Sequence, residues 1–270
     1  MSWNVVTTTS IVSTNEINHL VSLPAGIVAG NLLIVAFAAD GGPSIDFPAG
    51  WTLLFMNDTP TQLTTLAVAY RQADGTEGAS ITVITGLSEQ SAHNSYLISG
   101  ADNPTVRPPQ NSGASKFDNA NPDSPILTPT GGAKDYLWLS CAGVDGGRAF
   151  TVAPLNYTNL LSADSGSPAS GVSCGSARRI LNASSENPEA FTIETGDEWV
   201  AVTIAIHPVA LDWLRQDPYP LFKISPRQGE TFAFIPIEIP VAPPSLVPVS
   251  VPLSEFNIDV KILPDRVVGY

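Results

Sequence analysis

Pro24–Gly42 reads PAGIVAGNLLIVAFAADGG, and Pro129–Gly147 reads PTGGAKDYLWLSCAGVDGG. The two windows superpose without gaps at an offset of 105. Pro24, Gly26, Leu32, Asp40, Gly41 and Gly42 then fall on Pro129, Gly131, Leu137, Asp145, Gly146 and Gly147. Pro48, Trp51, Thr52 and Leu54 correspond to Pro154, Tyr157, Thr158 and Leu160 at an offset of 106. The offset grows to 108 at Arg71 and Arg179, and to 110 at Thr85-Gly86 and Thr195-Gly196. Matches in one order with a slowly growing offset are what a duplicated unit with small loop insertions produces. The two units span about residues 3–100 and 125–208 of a body over 1–208.

Each unit reads as β. Leu32–Ala39 is a continuous apolar run, the mark of a strand covered on both faces, and it stops at the turn residues Asp40-Gly41-Gly42. Segments 51–55, 63–71, 81–85 and 92–98 follow as strands. In the second unit 136–144, 157–161, 172–181, 190–195 and 199–206 do the same. No amphipathic helix of ten residues is apparent over 1–208. Short strands separated by turn signals predict an all-β, two-sheet sandwich of about ten strands, jelly-roll-like in its winding. Two tandem small sandwiches are the alternative, although the polar, Pro-rich stretch 101–125 is a crossover rather than a clean linker.

Residues 209–270 differ in kind. Leu211–Tyr270 holds ten of the 24 prolines and two of the 21 glycines. Apolar residues alternate with others in three runs: 235–241, 247–253 and 256–262. That is the period of extended segments with one apolar face. Pro236 and Pro240 share one parity, as do Pro248 and Pro252. They delete amide donors from one edge of each segment only, so each can join a sheet on its other edge. The expectation is an arm that docks by strand addition. Its partner-contacting residues would be Phe232, Phe234, Ile235, Ile237, Ile239, Val247, Val249, Val251, Phe256 and Ile258.

The formal net charge is −13, from 12 Lys+Arg against 25 Asp+Glu, with only 14% of residues charged. An acidic chain of this kind argues against nucleic acid and anionic membranes as partners. Residues 1–210 carry seven Lys+Arg against 18 Asp+Glu, so the acidity belongs to the body and the arm is nearly neutral. The N-terminal residues lack the basic and apolar regions of a secretion signal, and the eight apolar residues 32–39 fall short of the roughly 20 a spanning helix needs. Folding in a cytosol and no membrane insertion are expected. The sequons at Asn156 and Asn182 then carry no meaning, and Cys141 and Cys174 are expected as buried free thiols.

Few residues suggest chemistry. Gly171-Val172-Ser173-Cys174-Gly175 fits G-x-S-x-G, with Asp197 and His207 following in hydrolase order. That mechanism needs a strained strand-to-helix turn under the serine. Here the segment runs straight into a strand, and the duplication places Ser173 on Thr65 of another strand, so no enzyme is expected. His19, His93 and His207 lack metal-ligand spacing and read as surface or strand-end residues. The loops at Asp40 and Asp145, with Asp46 or Asp164, could together offer oxygens to a structural Ca²⁺, but Asp-Gly is also plain turn chemistry, so no cofactor is expected. Trp51 and Tyr157 occupy equivalent positions, where an aromatic is either core or a stacking surface for a host glycan.

The run 51–54 after Pro48-Ala49-Gly50, then Ala67-Val68-Ala69-Tyr70-Arg71-Gln72-Ala73-Asp74-Gly75-Thr76-Glu77, then Ile81-Thr82-Val83, resembles a module of tailed-bacteriophage virion proteins. It covers Gly30 to Gly100, with a degraded second copy to His207; the arm matches no such pattern. The resemblance implies a non-enzymatic structural protein on the virion surface, made in the host cytoplasm. It implies contacts with other virion proteins and a homo-oligomer, a trimer foremost. Head decoration, or cement, anchored by the arm is the leading expectation. A tail-fibre or receptor-binding protein that contacts host polysaccharide is the alternative.

Overall fold

The computed structural model describes residues 3–119, 121–166 and 170–209, and the arm residues named above lie outside them. The described residues form one compact unit. Its first half supplies strands β1 (Asn4–Ser22), β2 (Leu32–Asp40), β3 (Ile45–Asp46), β4 (Thr52–Asp58), β5 (Thr64–Gln72) and β6 (Ser80–Ser99). These make one antiparallel sheet in the order β1-β6-β2-β5-β4, with β3 on β6. The second half supplies β7 (Gln110–Asn111), β8 (Ser115–Asn119), β9 (Lys134–Asp145), β10 (Phe150–Val152), β11 (Thr158–Asp164), β12 (Val172–Ala183), β13 (Thr192–Ile193) and β14 (Asp197–Ile206). Its sheet runs β11-β12-β9-β14-β7, with β8 also on β14. Read from the hairpin edge, the two orders are the same: β4-β5-β2-β6-β1 and β11-β12-β9-β14-(β7, β8).

The protein is therefore a two-sheet β-sandwich in which each half of the chain builds one whole sheet. Tandem sandwiches are ruled out because the two halves share one core. Leu32, Ile34, Leu66, Val68, Tyr96 and Ile98 of the first sheet pack against Leu137, Leu139, Cys141, Cys174, Val202 and Ile204 of the second. The expected jelly-roll winding needs correction. A jelly roll interleaves two Greek keys so that the chain passes repeatedly between the sheets, whereas here it passes once, over residues 100–109.

Both sheets are covered on their outer faces too, which accounts for the unbroken apolar runs of β2 and β9. Within β2, Leu32, Ile34, Ala36 and Ala38 face the second sheet, while Leu33, Val35, Phe37 and Ala39 face outward. The outer face is closed by the long strands β1 and β6. Register shifts at Val12/Glu16 and Glu16/Asn18 bend the pair, as bulges do. Val21, Ile45 and Val83 are thereby brought over Leu33, Val35 and Phe37. On the second sheet, the small β10–β13 ribbon and its flanking loops lay Phe150, Phe191, Ile193 and Leu127 over Trp138, Ala142 and Trp199. Cys141 and Cys174 are unpaired and buried between the sheets. Burial pushes the Cys141 thiol up to about 12, so it stays protonated.

Candidate functional site

The Asp-Gly-Gly turns end β2 and β9 at the same rim of the sandwich. Gly41 and Gly146 adopt φ of +69° and +70°, which an L side chain would resist. Asp40 Oδ1 accepts from Gly41 N at 3.1 Å and Asp145 Oδ1 from Gly146 N at 3.0 Å. The hydroxyl opposite each turn ties it down. Thr65 Oγ1 donates to Gly41 O at 3.1 Å, and Ser173 Oγ donates to Gly146 O at 3.3 Å while accepting from Arg148 N at 2.8 Å. Ser173 is thus a fully buried turn anchor with a counterpart in the first unit. Asp197 is held by Arg148 at 2.9 Å. His207 lies just past the far end of β14, ten residues from Asp197, or about 30 Å along an extended chain. The three residues of the hydrolase pattern are therefore not assembled.

The same rim concentrates negative charge. Burial, then Asp197 and Asp40, raise the Asp145 carboxyl to about 6. Burial also raises Asp40, and burial with Asp40 raises Glu89. Asp46 is exposed, and Asp164 accepts from Gly166 N at 2.7 Å. Among the described residues no three His, Cys, Asp or Glu side chains are placed to hold a metal ion. The cluster is a local electrostatic cost instead. Asp145→Asn, which keeps the acceptor for Gly146 N, is expected to stabilise the protein at pH 7.5 by about 1 kcal/mol, the shift being discounted for solvent screening. Urea unfolding of the two proteins checks this, and the gain should vanish near pH 4, where Asp145 is already neutral.

Trp51 and Tyr157 belong to a second repeated device. Arg71 Nε pairs with Glu77 at 3.0 Å beside Trp51, and Arg179 pairs with Glu186 at 2.8 Å beside Tyr157. In the second unit the device is closed. Glu186 exchanges backbone hydrogen bonds with Leu127, and Tyr157 is buried in the outer core, where desolvation and Glu186 raise its phenol. Of the two readings of this position, Tyr157 is core, and it offers no stacking surface. In the first unit the device is open: Trp51 is half-buried, stacks on Phe47 at 6.0 Å and lines a hollow of about 390 Å³. The hollow's charged groups are spent internally, however. Arg71 also pairs with Asp74, and Glu77 accepts from the backbone of Asp74 and Gly75. Both copies act as clips that fasten the loop after β5 or β12.

Of the histidines, His207 sits at a strand end as expected, but for His19 and His93 the surface or strand-end reading needs correction. His19 and His93 are fully buried under the bent part of β1 and β6, and Ser91 Oγ bridges them, 2.6 Å from His19 Nδ1 and 2.7 Å from His93 Nε2. His207 is buried at the opposite end of the sandwich from the Asp-Gly turns and contacts Gln110 at 2.8 Å. Nothing in the spacing of the three histidines signalled the first pair. Only the pairing of β1 with β6 brings residues 19 and 93 together. No family model, no curated protein and no solved structure matches the chain.

Proposed function

We propose that the chain is a non-enzymatic structural protein of a bacteriophage virion, displayed on the particle surface and fastened there through residues 209–270. Head decoration is the form the reading takes. One observation carries the assembly role, the outer edge of β1. This strand ends the first sheet, and from Trp3 to Asn15 it has no charged residue. Beyond β6 its described contacts are made largely through side chains: Trp3 Nε1 donates to Asp135 O at 3.1 Å, Ser10 Oγ accepts from Ser22 N at 3.0 Å, Arg178 donates to Val5 O at 3.5 Å and Asn159 to Thr7 Oγ1 at 3.4 Å. Free-standing proteins blunt such edges with charge, proline or short length, and a long uncharged edge is a template for pairing. On a body this acidic, it is a neutral strip through which copies or neighbours can meet without repulsion. The tail-fibre alternative is weakened, since Tyr157 is buried and the polar groups around Trp51 are already engaged.

Deleting Ser225–Tyr270 is expected to leave a sandwich with unchanged thermal unfolding that is lost from purified particles by at least about tenfold, as expected when an anchoring contact is removed. Retention on the particle, or unfolding of residues 3–209 upon truncation, would overturn the anchoring role.

A further inference from the structure

A hollow of about 490 Å³ opens at the end of the sandwich remote from the Asp-Gly turns, lined by Val106, Arg107, Gln110, Thr130, Lys134 and His207. Its chemistry is opposite to that of the molecule around it. Of the Lys and Arg residues among those described, Arg71, Arg107, Lys116, Arg148 and Arg179 have carboxylate partners, and Arg178 donates to a backbone carbonyl. The Lys134 side chain alone among them makes neither an ion pair nor a hydrogen bond, in a chain with a net charge of −13. Arg107 reaches Asp102 through Nη1 at 3.2 Å, and the rest of its guanidinium is uncommitted apart from that contact.

The floor between these cations is braced. Gln110 Nε2 donates to Thr130 Oγ1 at 2.8 Å and to His207 Nε2 at 2.8 Å, and Gln110 Oε1 accepts from Thr130 N at 2.9 Å. The His207 ring meets Tyr136 edge-on, centroids 5.1 Å apart, and Tyr136 donates to Gly132 O at 3.0 Å. Burial and the two cations together hold His207 neutral, so it adds no charge of its own. The hollow thus has open cationic donors, a rigid polar floor and, in Val106, an exposed apolar wall. Nothing in its lining accepts the Lys134 protons.

We propose that this hollow binds a small oxyanion, a carboxylate or phosphate group on a ligand of monosaccharide size, with Lys134 as its main counter-charge and Arg107 as the second. The proposal does not depend on the virion role. A charge-assisted hydrogen bond to an oxyanion is the strong kind, and here it displaces no existing partner of Lys134. The site is large enough for a pyranose ring against Val106, which a bare anion would leave uncovered.

The test uses the full chain, isotopically labelled, at constant low ionic strength in chloride. D-glucuronate, inorganic phosphate and D-glucose are titrated in separate arms and followed by amide chemical shifts. Saturable shifts at Gly131, Gly132 and His207 are expected with glucuronate and phosphate, and none with glucose. Lys134→Gln should weaken both anions by about tenfold or more, the worth of one charge-assisted contact, and Arg107→Gln by a smaller factor. Lys116→Gln, which breaks an ion pair with Asp58, should leave both unchanged. Tighter binding of glucuronate than of phosphate identifies an acidic sugar as the source of the anion, and the reverse order identifies a phosphate group. Absence of saturable shifts with either anion, equal binding of glucose, or Lys134→Gln binding like the parent would overturn the proposal. A thermal melt of each variant separates loss of binding from loss of fold.

Discussion

Gly175→Ala is expected to destabilise the sandwich by about 3 kcal/mol, the upper end of what overpacking a closed core costs. For a body of this size that is a fall of about 10 °C in the thermal midpoint. Simple propensity predicts the opposite sign. Glycine in the middle of a strand is worse than alanine by about 0.5–1 kcal/mol, and Gly175 does not have the positive φ that would excuse it. The decisive term is space. A Cβ on Gly175 would overlap Cε1, Cδ1 and Cζ of the Phe150 ring. That ring is 5% exposed and wedged edge-on against Phe191, centroids 5.3 Å apart, so it has nowhere to retreat. The β10–β13 cover would have to lift off the second sheet. Chemical denaturation of the Gly175/Phe150 double-mutant cycle checks the cause. Phe150→Ala opens a cavity of its own, yet in its background Gly175→Ala should cost about 1 kcal/mol or less. An unchanged midpoint for Gly175→Ala alone would mean that Phe150 does not close this face.

The same substitution shows how far the sequence could be read. Gly175 was visible as the last residue of a G-x-S-x-G pattern, and its true reason, a ring laid across the strand, depends on Phe150, which is 25 residues away. Ser173 was better served. The duplication had aligned it with Thr65, and the two hydroxyls do the same work on the two turns. Repeats were legible because turn glycines, prolines and the Arg of each clip constrain local geometry wherever they stand. Strand β1 carries no strand signal of its own, because VVTTTSIVST neither alternates in polarity nor forms an apolar run, and its pairing is dictated by β6. The long strand β6 reads as two pieces, since Gly86, Ser88, Glu89 and Gln90 interrupt its apolar pattern where the strand bends between core and cover. The apolar runs of β2 and β9 announced burial on both faces, but not what would cover them. The free cation at Lys134 had no signal in sequence, since Lys134, Arg107 and His207 lie on three separated segments.

Acidification from pH 7 to pH 4 is expected to remove several kcal/mol of stability through His19 and His93. The hydrogen bonds fix the protons on both rings. Thr85 Oγ1 donates to Leu87 O at 2.7 Å, so it must accept from His19 Nε2 at 2.8 Å. His19 Nδ1 then accepts from Ser91, whose oxygen accepts from His93 Nε2. His93 Nδ1 in turn accepts from Ser10 Oγ at 2.9 Å, and Ser10 Oγ accepts from Ser22 N at 3.0 Å. Every donor and acceptor in the chain is used once, and both imidazoles are neutral. The rings also pack on Phe37, His93 stacked at 4.7 Å and His19 edge-on at 5.4 Å. A proton added to His19 Nδ1 faces the Ser91 hydroxyl hydrogen, and one added to His93 Nδ1 faces that of Ser10, so a hydroxyl that donates to the ring loses its acceptor. Burial, and secondarily His19, hold His93 down at about 3, while Glu16 only partly offsets the burial of His19. Unfolded histidine titrates near 6.5, so the unfolded chain takes up the proton first. Stability from His93 is complete above about pH 6.5 and declines as pH falls toward 3, by at most about 5 kcal/mol. Asp145 works against this most strongly, because its raised carboxyl gains a proton in the folded state as pH drops through 6, and the raised carboxyls of Asp40 and Glu89 act in the same direction. The measurement is therefore made in Asp145→Asn, where urea unfolding should lose about 1.4 kcal/mol per pH unit between pH 6 and 4 for each proton excluded from the fold. His93→Phe should flatten that slope while keeping the stack on Phe37. Ser91→Ala leaves a buried donor and a buried acceptor unpaired and should cost about 2–4 kcal/mol even at pH 8. If His93→Phe in the Asp145→Asn background leaves the pH dependence of stability between pH 7 and 4 unchanged, His93 is not held neutral by the fold, and the neutral hydrogen-bond chain would have to be abandoned.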